Sequence, residues 1–194
     1  MTLVDFICRF DRTGSTVAAP DGRELDHVEL CNAADAIGAA LAARGVAPGD
    51  RVAAALPAGA PLIAALIGAA AIRAALVPIR SVDDEPTVRR ALRSREVRLV
   101  LAAPNPPASV RAAAEAAGVA LATLALDGRG LVLIDGEPVY DAHDRVAEPD
   151  DVALVALDGK QLTQGALVMA AGERGLEGLA AIVAVVAAPA RHAA

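Results

Sequence analysis

The run Gly45 to Ile79, GVAPGDRVAAALPAGAPLIAALIGAAAIRAALVPI, restricts the fold more than any other part of the chain. Val52 to Leu56 is short and continuously apolar, as expected of a strand covered on both faces. Pro57 and Gly59 break it, and Pro61 suits the first turn of a helix, where its missing N–H costs nothing. Leu62 to Ile72 is apolar nearly all round, which predicts a helix buried within the molecule. Leu76 to Ile79 reads as the next strand. Strand, buried helix and strand in succession point to a parallel sheet with right-handed crossovers.

The flanking segments extend this pattern. Leu3 to Phe10 is a short apolar segment, and Asp21-Gly22 marks a turn. Asp26 followed by Glu29 reads as a capping box. Leu30, Ala33, Ala34, Ile37 and Leu41 recur at helical spacing, and Gly45 is placed to end that helix in a left-handed cap. Pro48-Gly49 signals a turn. Asp83, Asp84 and Glu85 open a further helix with Pro86 in its first turn, and Arg89, Arg90, Arg93 and Arg95 close it, matching the helix dipole. These arginines are a candidate anion site; the competing reading is a solvated helix face.

Val97 to Leu101 is another strand. Ser109 is expected to cap a helix that runs to Ala117 and stops at Gly118, and Val119 to Leu124 follows as a strand. Leu131 to Ile134, Asp135-Gly136 and Glu137 to Tyr140 read as a β-hairpin, with Pro138 placing its second strand on an edge. Residues 141–151 form an acidic connector. Val152 to Leu157 is a strand, Asp158-Gly159-Lys160 a tight turn, Thr163 the cap of a helix to Arg174, and Ala181 to Val186 a final strand. The expected class is α/β: a mostly parallel open sheet with helices on both faces, plus a β-hairpin near residues 131–140, in a single domain over residues 1–194.

Composition narrows the function. Hydrophobic residues make up 55% and aromatics 2%, so the core is packed from Ala, Val, Leu and Ile. A net charge of −6 without a basic run makes nucleic acid a poor partner. The start lacks a signal-peptide pattern, and the apolar stretch Pro61 to Ile72 falls short of the ~20 residues a bilayer needs. A cytoplasmic protein is expected. Cys8 and Cys31 read as buried thiols. His27, His143 and His192 stand apart from one another, and the acidic residues around His143 read as a solvated connector, so no metal site is expected. No serine sits in a nucleophile elbow, and the glycines of residues 128–136 lack the order of a dinucleotide fingerprint.

The ordered motifs resemble the N-terminal part of the adenylate-forming, acyl-CoA synthetase-like enzymes. The family's Arg-Gly-Val, Pro-Gly-Asp-Arg-Val, strand ending in Pro, apolar helix and Val-Pro strand are matched by Arg44-Gly45-Val46, Pro48-Gly49-Asp50-Arg51-Val52, Leu56-Pro57, Leu62 to Ile72 and Val77-Pro78. The family's acidic Asp-Asp-Val-Ala-Leu is matched by Asp150 to Leu154. The resemblance then implies a Ser/Thr/Gly-rich phosphate loop ending in lysine, but only Asp158-Gly159-Lys160-Gln161 stands between the strand and the next helix. Lys160 and Thr163 are the candidate remnants of that nucleotide site. Val185 to His192 resembles the family's strand near the acyl pocket, with His192 as a further candidate, and the family's later parts have no counterpart.

No catalytic residue is assigned. ATP and magnesium are not expected to bind without a partner chain. The expectation is a non-catalytic accessory or interaction subunit that pairs with a protein partner or with itself. One half of a split ligase, or an acyl or CoA binder, are the alternatives.

Overall fold

The computed structural model describes residues 1–10, 16–80, 82–127, 130–140, 147–156 and 158–186. The chain runs α1 (Leu3–Phe10), β1 (Val17–Ala18), β2 (Glu24–Leu25), α2 (His27–Ala43), β3 (Arg51–Ala55), α3 (Ala60–Ala71), β4 (Ala75–Pro78), α4 (Glu85–Ser94), β5 (Val97–Ala102), α5 (Ala108–Ala117), β6 (Ala120–Leu126), β7 (Val132–Ile134), β8 (Glu137–Pro138), β9 (Val152–Val155), β10 (Gln161–Thr163), α6 (Gln164–Ala171) and α7 (Gly175–Val186), with a 3₁₀ turn, Gly172–Arg174, before the last helix.

The main sheet has eight strands in the order β10-β9-β4-β3-β5-β6-β7-β8. Its centre, β9 through β6, is parallel. Both margins, β10 on one side and β7-β8 on the other, are antiparallel. Strands β1 and β2 form a separate antiparallel pair. One face of the sheet packs against α1, α2, α3, α6 and α7. The other packs against α4 and α5. This is the expected α/β class, with the hairpin at Asp135-Gly136 in place and both of its turn residues at positive φ, +55° and +86°.

Helix α3 is buried at every position. It crosses α2 with the two backbones touching: a Cβ added at Gly68 would lie 2.6 Å from the Ala34 carbonyl oxygen, and one at Gly38 would lie 3.1 Å from that of Gly68. The α2 capping box forms as read, with the Asp26 side chain accepting from the Glu29 N–H at 2.8 Å and Glu29 accepting from the Asp26 N–H at 3.1 Å. Gly45 and Gly118 lie at φ +76° and +69° behind their helices, where glycine avoids the Cβ clash of the left-handed region.

Four expectations need correction. Ala181 to Val186 is the end of helix α7, not a strand. Leu176, Leu179 and Val183 form its buried stripe, but the stretch 181–186 alone is too short and too uniformly apolar to show a period. Lys160 leads into the antiparallel strand β10 before the helix starts, so the segment after β9 is a hairpin. Helix α6 ends at Ala171 and continues only as a 3₁₀ turn. Ser109 does not cap α5: the helix starts at Ala108 behind Pro107, with no side-chain cap. The apolar segment Leu3–Phe10 is helix α1, with Leu3, Val4, Phe6 and Ile7 buried.

Candidate functional site

The turn between β9 and β10 is closed on itself. The Ala156 N–H donates to the Lys160 carbonyl at 2.8 Å, and the Gly159 N–H donates to that of Ala156 at 2.9 Å. The Lys160 N–H donates to Asp158 Oδ1 at 2.9 Å. Gly159, at φ +93°, packs beneath Arg95: a Cβ there would stand 3.1 Å from Arg95 Nη2. Lys160 is exposed on this turn. Thr163 is the N-cap of α6, its Oγ1 accepting from the Ala166 N–H at 3.2 Å. Lys160 and Thr163 thus lie close together at the sheet margin. His192, His143 and the Cys8 side chain fall outside the described residues. Cys31 is buried.

The arginines in and just after α4 take different partners, although three of them border one hollow. Arg89 pairs with Glu85 at 2.8 Å. Arg93 Nη2 donates to the Ala116 carbonyl at 2.7 Å, holding the end of α5. Arg95 turns toward Gly159. Pro86, Arg89, Arg90, Arg93 and Ser94 line an open hollow of about 500 Å³ along the helix. At the helix start, hydrogen bonds with Thr87, first its side chain and then its backbone, hold the Asp84 carboxyl below its usual range, with Arg90 adding a smaller pull.

A more enclosed cavity, about 310 Å³, lies across the starts of β3, β4 and β9. Pro48, Gly49, Arg51, Arg73, Ala75, Asp151, Val152 and Gln161 line it. Sequence segments more than a hundred residues apart meet here, Pro48 and Gln161 among them. The Gly49 N–H donates to the Arg73 carbonyl at 2.8 Å, and the Ala75 N–H to that of Asp50 at 2.9 Å. Asp50 Oδ2 accepts from the Ala47 N–H at 2.9 Å and so closes the Pro48-Gly49 turn. Arg73, at φ +64°, places its Nε and Nη2 against Asp151 Oδ1 at 3.2 and 3.1 Å. Arg51 Nη1 donates to the Arg95 carbonyl at 3.0 Å and to Glu96 at 3.3 Å. Reading the sequence missed Arg73 and Gln161 as neighbours. The signal for Arg73 was its position: an arginine where a helix stop ordinarily takes glycine.

A family model described as AMP-binding enzyme matches residues 9–157. The chain belongs to the AMP-binding enzyme family. Solved structures share its fold: a fatty acyl CoA synthetase of Mycobacterium tuberculosis matches with a TM-score of 0.71 and 20% identity over 88% of this chain and 36% of that one. A benzoate CoA ligase from Burkholderia xenovorans matches at 0.70 with 20% identity, over 88% and 36%. VinN matches at 0.68 with 20% identity, over 88% and 48%. The chain therefore spans between 36% and 48% of the length of these structures. No curated protein matches it.

The motifs that carry the AMP-binding enzyme resemblance have structural work here. Within them, Gly49 and Asp50 bind the α3–β4 corner through the Arg73 carbonyl and the Ala75 N–H, and Asp151 at the start of β9 holds the Arg73 side chain. The family match ends at residue 157, at the hairpin turn. Among the described residues there is no cluster of His, Cys, Asp or Glu that would hold a metal ion. Within the same residues no helix is long and apolar enough to cross a membrane.

Proposed function

We propose that this AMP-binding enzyme family member does not activate a carboxylic acid with ATP on its own and serves as an accessory unit that contacts another protein. The observation that carries this reading is the β9–β10 turn. A phosphate cradle works by leaving backbone N–H groups free to face the anion. In this turn the N–H groups of Ala156, Gly159 and Lys160 are all spent on acceptors within it. Asp158 adds a carboxylate, and two like unit charges about 4 Å apart repel by ~1 kcal/mol even in water.

Contact with a protein is supported by the outer face of α6 and α7. Met169 is 83% exposed and Val185 74% exposed. Ala166, Ala170, Ala181 and Ala184 are exposed beside them in the same two helices, and no charged residue occurs from Gly178 to Val186. Exposed apolar faces of this kind mark interaction sites.

Pyrophosphate exchange with a panel of carboxylic acids tests the first half of the proposal. The expected result is no exchange above a protein-free control; exchange with any acid sinks it. A second reading rests on the coverage: most of each matched synthetase or ligase chain lies outside the shared part. The remainder, on the same polypeptide or on another, would then complete a ligase. Supplying it should produce ATP-dependent ligation that neither part shows alone. The closed turn weighs against this, because the replacement loop would have to come from outside the chain's own hairpin.

A further inference from the structure

We infer that the cavity between Arg51 and Arg73 is a binding site for a small oxyanion, the carboxylate or phosphate group of a compact ligand. The case rests on which hydrogen-bonding groups around the cavity are already used. Asp151, the one acid among the lining residues, has both oxygens engaged: Oδ1 accepts from Arg73 and Oδ2 accepts from the Glu148 N–H at 2.7 Å. Arg51 commits only Nη1, to the Arg95 carbonyl and Glu96. Arg73 commits Nε and Nη2, to Asp151 and, at 3.9 Å, to Glu148. Nε and Nη2 of Arg51 and Nη1 of Arg73 therefore have no acceptor among the described residues, and neither does the Gln161 amide.

The charged part of that spare capacity is donor capacity, on Arg51 and Arg73, and a planar guanidinium fork matches a carboxylate or phosphate. The two arginine side chains are 29% and 36% exposed, so their charges are only partly screened. Ala75, Val152 and Pro48 supply apolar lining for the body of a ligand, and about 310 Å³ lies at the small end of ligand pockets. Arg73 also holds a left-handed backbone that glycine would take without strain, which ties the position to its side chain.

This inference stands apart from the proposed function, since it concerns neither the β9–β10 turn nor ATP. The test is calorimetric titration of the full chain with sodium phosphate, and separately with sodium acetate and butyrate, against sodium chloride at matched ionic strength. Saturable binding of phosphate or of the carboxylates, beyond chloride, is expected, and the stronger of the two arms identifies the ligand class. Arg51→Gln should weaken it about tenfold, as loss of one charged donor predicts. Gln161→Glu, at an exposed position, should abolish it without touching the fold. Arg90→Gln, in the hollow along α4, should leave it unchanged. Absence of saturable binding in both arms overturns the inference. So does binding that survives Arg51→Gln and Gln161→Glu, or that is lost in Arg90→Gln instead.

Discussion

Gln164 is the one fully buried polar side chain among the described residues. Its Oε1 accepts from the Leu3 N–H at 3.1 Å, and its Nε2 donates to the Ala70 carbonyl at 2.9 Å. It thereby ties the start of α1, where backbone donors have no intrahelical partner, to the end of α3. Gln164→Ala should cost about 2–3 kcal/mol, from a small cavity and an orphaned N–H; a denaturant midpoint within error of the parent refutes this. Asp135 makes a different prediction. Burial pushes its carboxyl up, but the Thr123 N–H and the Arg44 guanidinium outweigh burial and hold it below the ordinary aspartate range. The contacts are 2.7 Å to the Thr123 N–H and 2.9 Å to Arg44 Nη2. A lowered folded-state value means stability that is present above the unfolded value and lost as pH falls through the folded one. Asp135→Asn keeps the left-handed backbone, which asparagine tolerates, and removes the charge. The variant should lose about 1 kcal/mol near neutral pH. The gap to the parent should narrow as pH falls below the ordinary aspartate range and through the lowered folded-state value; a gap that stays constant with pH contradicts the role assigned to the charge.

Among the elements, the α2–α3 crossing is the contact with least slack. Ala34, Ile37 and Gly38 face Gly68 with no room for a methyl group. Gly68→Ala is ordinarily helix-stabilising by a fraction of a kcal/mol, but here overpacking of about 1–3 kcal/mol wins. Thermal melts should show a clear drop, and an unchanged or raised Tm would mean the helices separate more freely than the distances imply. The margin β9-β10-α6 is held by a second joint. The Gln164 N–H reaches the Asp151 carbonyl, and Gly165 that of Pro149, at 2.9 and 2.8 Å. Asp151→Ala frees Arg73 and Glu148, so amide exchange should speed up across Gln161 to Ala171 before it does in β3 and β5. Equal acceleration everywhere would show that the joint is not local.

At the scale of the whole molecule, the two faces of the sheet are unevenly covered. Among the described residues, five helices pack on one face and two on the other. Helices α6 and α7 close the first face but leave Met169 and Val185 outward. If that surface is a contact site, static light scattering should report a mass above that of one chain, or a partner should co-purify through it. A monodisperse monomer at high concentration would argue against self-association, and Met169→Glu with Val185→Glu should then change nothing. Acidic substitutions that convert an associated species to monomer would locate the interface on these helices.

Much of the fold was legible because it is written within a few neighbouring residues. The Asp26–Glu29 box, the glycine stops at Gly45 and Gly118, the Asp135-Gly136 turn and the buried β3-α3-β4 unit each follow from local dihedral preference or a short period. The order of motifs was enough to point to the family. Tertiary structure alone decided that the apolar tail is helix α7, that β10 pairs beside β9, and that Arg93 is tied to the end of α5. It alone brought Arg51, Arg73, Asp151 and Gln161 around one cavity. Those outcomes depend on strand order and on which surfaces remain to be covered, and such long-range contacts leave no local period in the sequence.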